Sequence, residues 1–382
     1  MIALLLAVAL AADPTGLTQE RVFPLHPQHN HAPGVAELPG GELLVSWYRG
    51  SGERTADDVA VFGSRKPVGG AWSEAFVMAD TPGFPDGNTA LFVDPVGKLW
   101  LFWPLVLANT WESCLTQYRT ATNPAGAGCP KWDWQGQLAL KPLDFEPILT
   151  REFAKWRARL PGPPPKEFAV EAVRAKAADK LFARLGWQTR CKPIVLKSGR
   201  WLLPLYSDTF SAGLMAVTDD AGKTWAASQP LAGFGSIQPT LFEKKDGTVV
   251  AYMRENGPLG NVRVCASADG GMSWGSVGES VLVNPGSGID GVRLADGRWL
   301  LVHNDTPKGR HRLAVSVSDD EGQTWKWTRH LVDDPAGRFH YPACIQAKDG
   351  SVHVVYSTFL PGGKTMTHAR FPVAWVTEGG VK

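Results

Sequence analysis

The segment TDDAGKTW (218–225) returns as SADGGMSW (267–274) and again as SDDEGQTW (318–325). Each copy has a hydroxyl residue, then Asp, Gly, a second hydroxyl residue and Trp at fixed offsets. Asp and hydroxyl side chains at such offsets bond nearby backbone amides, Gly turns the chain, and Trp anchors the turn to its surroundings. The copies recur about every fifty residues, a period that signals a repeat architecture. Degenerate copies are expected from Ser64 to Trp72 and near Trp132.

A second pattern runs in phase with the first. HAPGVAELPGGELLVSW (31–47), NTALFVDPVGKLWLFW (88–103) and KPIVLKSGRWLLPLY (192–206) each read as strand, glycine turn, strand. QPTLFEKKDGTVVAYM (238–253), DGVRLADGRWLLVHN (290–304) and YPACIQAKDGSVHVVY (341–356) read the same way. The turn glycines are Gly41, Gly97, Gly199, Gly247, Gly297 and Gly350. The flanking Val, Leu, Ile and Trp suit a pleated sheet, and the Asp-Gly or Ser-Gly pairs suit tight turns. Six hairpins with room for four strands each predict an all-β, six-bladed β-propeller. The one double-length gap holds REFAKWRARL (151–160), a PGPPP run and a second helix-forming stretch. It reads as a small helical insertion at about 145–187, either a solvated decoration or a wall over the mouth. The propeller is expected to occupy 13–382 as a single unit.

Residues 1–12 form an uncharged apolar run ending in small residues, too short to span a bilayer. The run reads as a signal peptide, making the protein secreted or periplasmic, or else as a buried first strand. Net charge is +2 and no long Lys/Arg run occurs, so nothing calls for nucleic acid. The five cysteines show no Cys-x-x-Cys spacing. No metal and no cofactor are expected, and Cys114 and Cys129 are close enough to bridge one loop in an oxidising compartment.

Antiparallel pairing places the start of each first strand and the end of each second strand at one edge. The glycine turns and Asp-bearing turns then fall at the other, so those aspartates are structural. The shared edge, the mouth, collects His31, Asn88, Lys192, Gln238, Asp290 and Tyr341 from strand starts. Arg49, Asp208, Arg254, His303 and Asp305 join from second-strand ends, with Asp57, Asp58, Arg263, Arg310 and Arg312 from third strands. Polar groups gathered around one axis form a binding-site candidate.

The three turn motifs are Asp-boxes, and with the hairpins the chain resembles the sialidase superfamily, in particular the BNR/Asp-box repeat-like proteins. The resemblance covers nearly all of the chain after residue 12. It implies a carboxylate-binding arginine triad, a Tyr nucleophile activated by Glu, and an Asp acid/base. Arg254 and Arg310 match two of the arginines, Tyr341 the nucleophile, and Asp57 or Asp58 the acid/base region. Two positions depart. His31-Ala32-Pro33 stands where Arg-Ile-Pro is usual, and Gln238-Pro239 where Glu-Pro is usual. Gln takes no proton at useful pH, so the Tyr–Glu couple is expected to be missing, and His31 becomes a further acid/base candidate. The implied activity is exo-glycosidase hydrolysis of an acidic or polar glycan terminus by a monomer. Asn88, Lys192, Gln238, Asp290, Arg49 and His303 would help Arg254 and Arg310 bind substrate. A polysaccharide lyase using His31 and Tyr341 on uronate glycans, and a non-catalytic glycan-binding propeller, stand as alternatives.

Overall fold

The computed structural model describes residues 16–378 except 160, 161, 164, 165, 167, 168 and 234. The apolar run at 1–12 lies outside the described residues. Six antiparallel sheets follow one another along the chain as six blades. Blade 1 comprises His29–Glu37, Leu43–Gly50, Ala60–Lys66 and Phe76–Ala79, and blade 2 Ala90–Val93, Leu99–Val106, Cys114–Ala121 and Trp134–Gln137. In blade 3 two short strands, Gln188–Thr189 and Ile194–Val195, both pair with Trp201–Ser207, followed by Ala212–Thr218 and Ala226–Ala227. Blade 4 is built from Ser236–Glu243, Val249–Glu255, Asn261–Ser267 and Gly278–Val283. Blade 5 has Asp290–Arg293, Trp299–His303, Arg312–Ser318 and Trp327–Asp333. Blade 6 takes Arg338–Gln346, Val352–Leu360 and Gly363–Phe371 from the C-terminal end, and its fourth strand, Thr18–Arg21, from the beginning. Glu20 pairs with His368 in that ladder, so backbone hydrogen bonds close the ring.

The Asp-boxes sit between the third and fourth strands of blades 3, 4 and 5. In the first, Thr218 Oγ1 donates to Asp220 at 2.8 Å and accepts from the Gly222 amide at 2.9 Å. The Thr224 amide and hydroxyl both donate to Asp220, at 2.9 and 2.6 Å. The same bonds recur at Asp269 and Asp320. Asp220 is held at a pKa of about 2 by the Thr224 and Thr218 hydrogen bonds, a sign of a carboxylate consumed by its own turn. Blade 2 keeps a remnant, with Asp133 accepting from Thr120 Oγ1 and the Thr122 amide. In blade 1 the remnant is Ser64 donating to the Ser73 carbonyl.

Each complete box docks on the preceding blade. Trp325 meets Tyr252 edge-on at 5.5 Å, and Gly322 (φ +82) lies against Tyr252 and Trp299. A Cβ at 322 would stand 2.8 Å from the Trp299 ring in a backbone region that side chains avoid. Gly322→Ala is therefore expected to destabilise the fold by about 2–4 kcal/mol. Denaturant unfolding checks this, and a loss below 0.5 kcal/mol would count against the docking role.

The insertion folds as helices α1 (Phe145–Arg159), α2 (Val170–Ala178) and α3 (Lys180–Arg184). It is not a loosely attached, solvated decoration. Phe145, Ile148, Leu149, Phe153 and Trp156 of α1 are buried with Trp201, Leu203, Leu205 and Phe210 of blade 3. Glu152 accepts from Ser276, and Trp156 lies 4.2 Å under the Arg263 guanidinium, both on blade 4. The helices pack against blades 3 and 4, and Arg263 is buried in that joint, against Trp156 and beside Glu255.

All five cysteines are free, and the expected Cys114–Cys129 bridge does not form. Cys114 opens the third strand of blade 2 at the mouth edge, whereas Cys129 follows that strand's far end. An eight-residue strand separates the two edges by on the order of 20 Å.

Candidate active site

Three inner strands carry a residue with positive φ directly before a proline: Ala32 (53°), Gln238 (55°) and Tyr341 (55°). Strand register breaks at the same places, between His31 and Gly34, Ile237 and Thr240, and His340 and Ala343. Bulges re-aim side chains, and positive φ outside glycine costs on the order of 1–3 kcal/mol per residue. The strain collects around the axis, where it presents Gln238 and Tyr341 to one another.

The Tyr341 hydroxyl accepts from Arg254 Nη1 at 2.6 Å and from Gln238 Nε2 at 3.3 Å. Guanidinium carbons of Arg190, Arg310 and Arg254 lie 5.1, 5.6 and 5.8 Å from its ring centroid. Among the described residues none of these arginines has a carboxylate within ion-pair distance. Arg190 is buried and donates to the Pro33 and Pro342 carbonyls, at 3.2 and 2.5 Å. It thereby ties the bulges of blades 1 and 6 from blade 3. Arg254 and Arg310 are part-exposed, so an anion can reach them.

Beside this cluster runs a neutral network. Asn88 Nδ2 donates to the Tyr206 hydroxyl at 2.8 Å, and Tyr206 donates to Gln188 Oε1 at 3.2 Å. Gln188 Nε2 in turn donates to Asp208 at 3.1 Å. Burial pushes the Asp208 carboxyl above its ordinary range, with Arg254 opposing. On the other flank the His31 ring lies 4.2 Å from Tyr341 and 4.8 Å from His340, centroid to centroid. Ser357 Oγ accepts from the Ala32 amide and sits 2.8 Å from His31 Nδ1. Burial, then His340, His29, Arg310 and Arg190, drives the His31 pKa well down, so this imidazole is neutral at neutral pH. His29 stacks on Tyr48 at 5.6 Å, and its Nε2 lies 3.2 Å from Glu53.

His31, Tyr341, Arg254, Gln238, Arg310 and Asn88 thus come together. Six of the residues proposed for catalysis or substrate binding do not join them. Asp58 accepts from the Ser51 amide and hydroxyl, and Asp57 from Asn109 Nδ2, both tied within surface loops. Glu53 is the carboxylate of that loop that reaches the cluster. Arg49 faces the opposite side of its strand, 4.8 Å from the Phe23 centroid and 4.7 Å from that of Phe62. His303 is buried inside blade 5, bonded to Ser316. Lys192 pairs with Asp290 at 3.0 Å, while Asp290 also takes Thr240 Oγ1 and the Cys344 amide, so both are spent on joining blades. Lys192 lines a cavity of about 430 Å³ at the other end of the axis, which includes no member of the Tyr341 cluster. The arginines and the strained bulges, not that cavity's size, mark the mouth as the candidate site.

The profile of the BNR repeat-like domain family matches residues 176–354. The chain is 29% identical over 174 residues to a sialidase of Micromonospora viridifaciens, covering 43% of this chain and 25% of that protein. The chain resembles the sialidase-like BNR-repeat proteins in sequence and shares their propeller fold. An anhydrosialidase of Macrobdella decora is 23% identical over 197 residues, again with 25% of its length covered. The matched segment thus spans about a quarter of these curated relatives. The fold is shared with a Streptococcus pneumoniae sialidase, NanB (TM-score 0.66, 12% identity, 92% of this chain and 70% of that one). It is also shared with a Dyadobacter fermentans protein of unknown function (TM-score 0.69, 16% identity, 94% and 99%).

Sequence reasoning missed Arg190, Tyr206, Gln188, Tyr48 and Glu53 in this propeller. The insertion had hidden the start of blade 3, so Arg190 lay outside the hairpin frame. Its signal was Lys192-Pro193, which aligns with the prolines at 33, 239 and 342. Tyr48 and Tyr206 were legible only as apolar strand ends.

Proposed function

We propose that the mouth binds the anionic terminus of a glycan and hydrolyses the terminal glycosidic bond. The observation that carries this is the set of guanidiniums converging on Tyr341 without a carboxylate of the protein's own. An Arg–carboxylate hydrogen bond contributes about 1.5–3 kcal/mol, so Arg254 and Arg310 together favour an acidic sugar. Tyr341 serves as nucleophile or transition-state stabiliser, its hydroxyl oxygen already aligned by Arg254 and Gln238. Export from the cell, with substrate met outside, belongs to the same reading. Among the described residues no helix is long and apolar enough to cross a membrane.

The neutral His31 beside Tyr341 favours one second reading. A neutral imidazole can take a proton from the ring of a uronate bound by Arg254, with Tyr341 protonating the leaving oxygen, which is a lyase reaction. Product masses on a panel of acidic glycans separate the two. A released sugar heavier by one water supports hydrolysis, and an unsaturated product without it supports the lyase. Binding without any product would replace both with a glycan-binding propeller.

A further inference from the structure

Asp57 and Asp58 are engaged elsewhere, so the proposed glycosidase lacks the proton donor that their loop was expected to supply. We infer that a His29–Glu53 pair at the rim of the mouth moves the proton to and from the glycosidic oxygen. This rests on the hydrolytic reading above.

His29 opens the inner strand of blade 1, and its side chain is 18% exposed, so a bound glycan can touch it. Its ring packs edge-on against His31 and Phe359, both at 5.5 Å. It therefore stands one aromatic layer from Tyr341. Glu53 Oε1 receives the Tyr48 hydroxyl at 3.2 Å and lies at the same distance from His29 Nε2. The hydrogen bond from His29, against the opposing effect of burial, holds the Glu53 carboxyl below its ordinary range. Glu53 is thus an anion that fixes a proton on Nε2 and leaves Nδ1 to exchange one. Among the described residues the polar contacts of the His29 ring both fall on Nε2, Glu53 at 3.2 Å and the Tyr48 hydroxyl at 3.3 Å. Tyr48 is closed off as an alternative donor, since burial and the Glu53 charge raise its pKa well above the usual phenol.

In the first half-reaction the Tyr341 oxygen bonds to the anomeric carbon and its phenolic proton passes to the neutral His31 beside it, while the anomeric C–O bond breaks and the alcohol departs with the His29 Nδ1 proton. In the second, neutral Nδ1 takes a proton from the attacking water, whose oxygen becomes the new anomeric hydroxyl as the bond to Tyr341 breaks and His31 returns the proton to the phenol. One water is consumed and no redox partner is needed.

The test compares 4-nitrophenyl with methyl glycosides of N-acetylneuraminic acid and of glucuronic acid, using wild type, His29→Gln and Glu53→Gln. A general acid matters most for a poor leaving group. His29→Gln is expected to lose about 10²–10⁴-fold on the methyl glycoside and under tenfold on the nitrophenyl glycoside. Glu53→Gln is expected to show the same split, smaller in size. Equal losses on both substrates, or none, overturn the pair while hydrolysis stands. No turnover by wild type of any of the four overturns the hydrolytic reading and the pair with it.

Discussion

Tyr341→Phe is expected to lower turnover of an acidic glycan at least 10³-fold, about 4 kcal/mol in barrier, with the fold intact. The ring is held by packing against His31 and three guanidiniums, none of which needs the hydroxyl. The hydroxyl is held by Arg254 and Gln238, which lose their acceptor in the variant. The loss therefore appears in chemistry, not in melting temperature. Arg254→Ala is expected to behave differently. It removes one charge-assisted contact of roughly 1.5–3 kcal/mol, so KM rises about ten- to hundredfold and kcat falls less. Steady-state kinetics on one responsive glycan checks both. A Tyr341→Phe enzyme retaining more than a tenth of wild-type kcat would remove Tyr341 from the chemistry and shift attention to Asp208 and His31.

Stability is expected to drop steeply between pH 7 and 5. His31, His303, His340, His353 and His368 are buried, and burial lowers the pKa of each, His353 to about 3. In the unfolded chain these groups take up protons near pH 6.5. The native state refuses them, so stability is full above that pH. It is lost as the pH falls from there towards the folded values. Each imidazole that stays neutral costs roughly 2 kcal/mol between pH 7 and 5, against a total of about 5–15 kcal/mol. The ring seam is the most exposed to this. His353 Nδ1 lies 2.8 Å from His368 Nε2, and His368 Nδ1 lies 3.0 Å from Glu20 on the closing strand. Burial opposes ionisation of Glu20, but hydrogen bonds from His368 and Lys66 hold it at about 2, so its own contribution fades only well below pH 5. A melting midpoint lower by roughly 5–10 °C at pH 5 than at pH 7 is the expected reading by circular dichroism. His353→Gln should flatten the slope. A midpoint unchanged across that range would mean that these histidines protonate freely in the native state.

Much of the site's outline was written in strand patterning. Alternation and turn glycines place His31, Gln238, Asn88 and Tyr341 at one edge because hairpin geometry is local. The same logic overreached at Arg49 and His303. A strand end names an edge but not a face, and packing on Phe23 and Phe62 claimed one side chain while the interior of blade 5 claimed the other. Nor does a strand end say which loop carboxylate turns inward: hydrogen bonds to Ser51 and Asn109 hold Asp58 and Asp57 within surface loops, while Glu53 meets His29 and Tyr48.

By itself the sequence determined the six hairpins of the ring, the Asp-boxes and the placing of His31 and Gln238 at one edge, since each depends on residues near one another in the chain. Only the tertiary structure decided which cations surround Tyr341, that Arg190 crosses from blade 3 to staple blades 1 and 6, and that strand 18–21 closes the ring. Those contacts join residues on different blades, 87 positions apart for Arg254 and Tyr341 and 157 for Arg190 and Pro33. Their existence depends on how the blades twist and pack about the axis, and no local pattern encodes that.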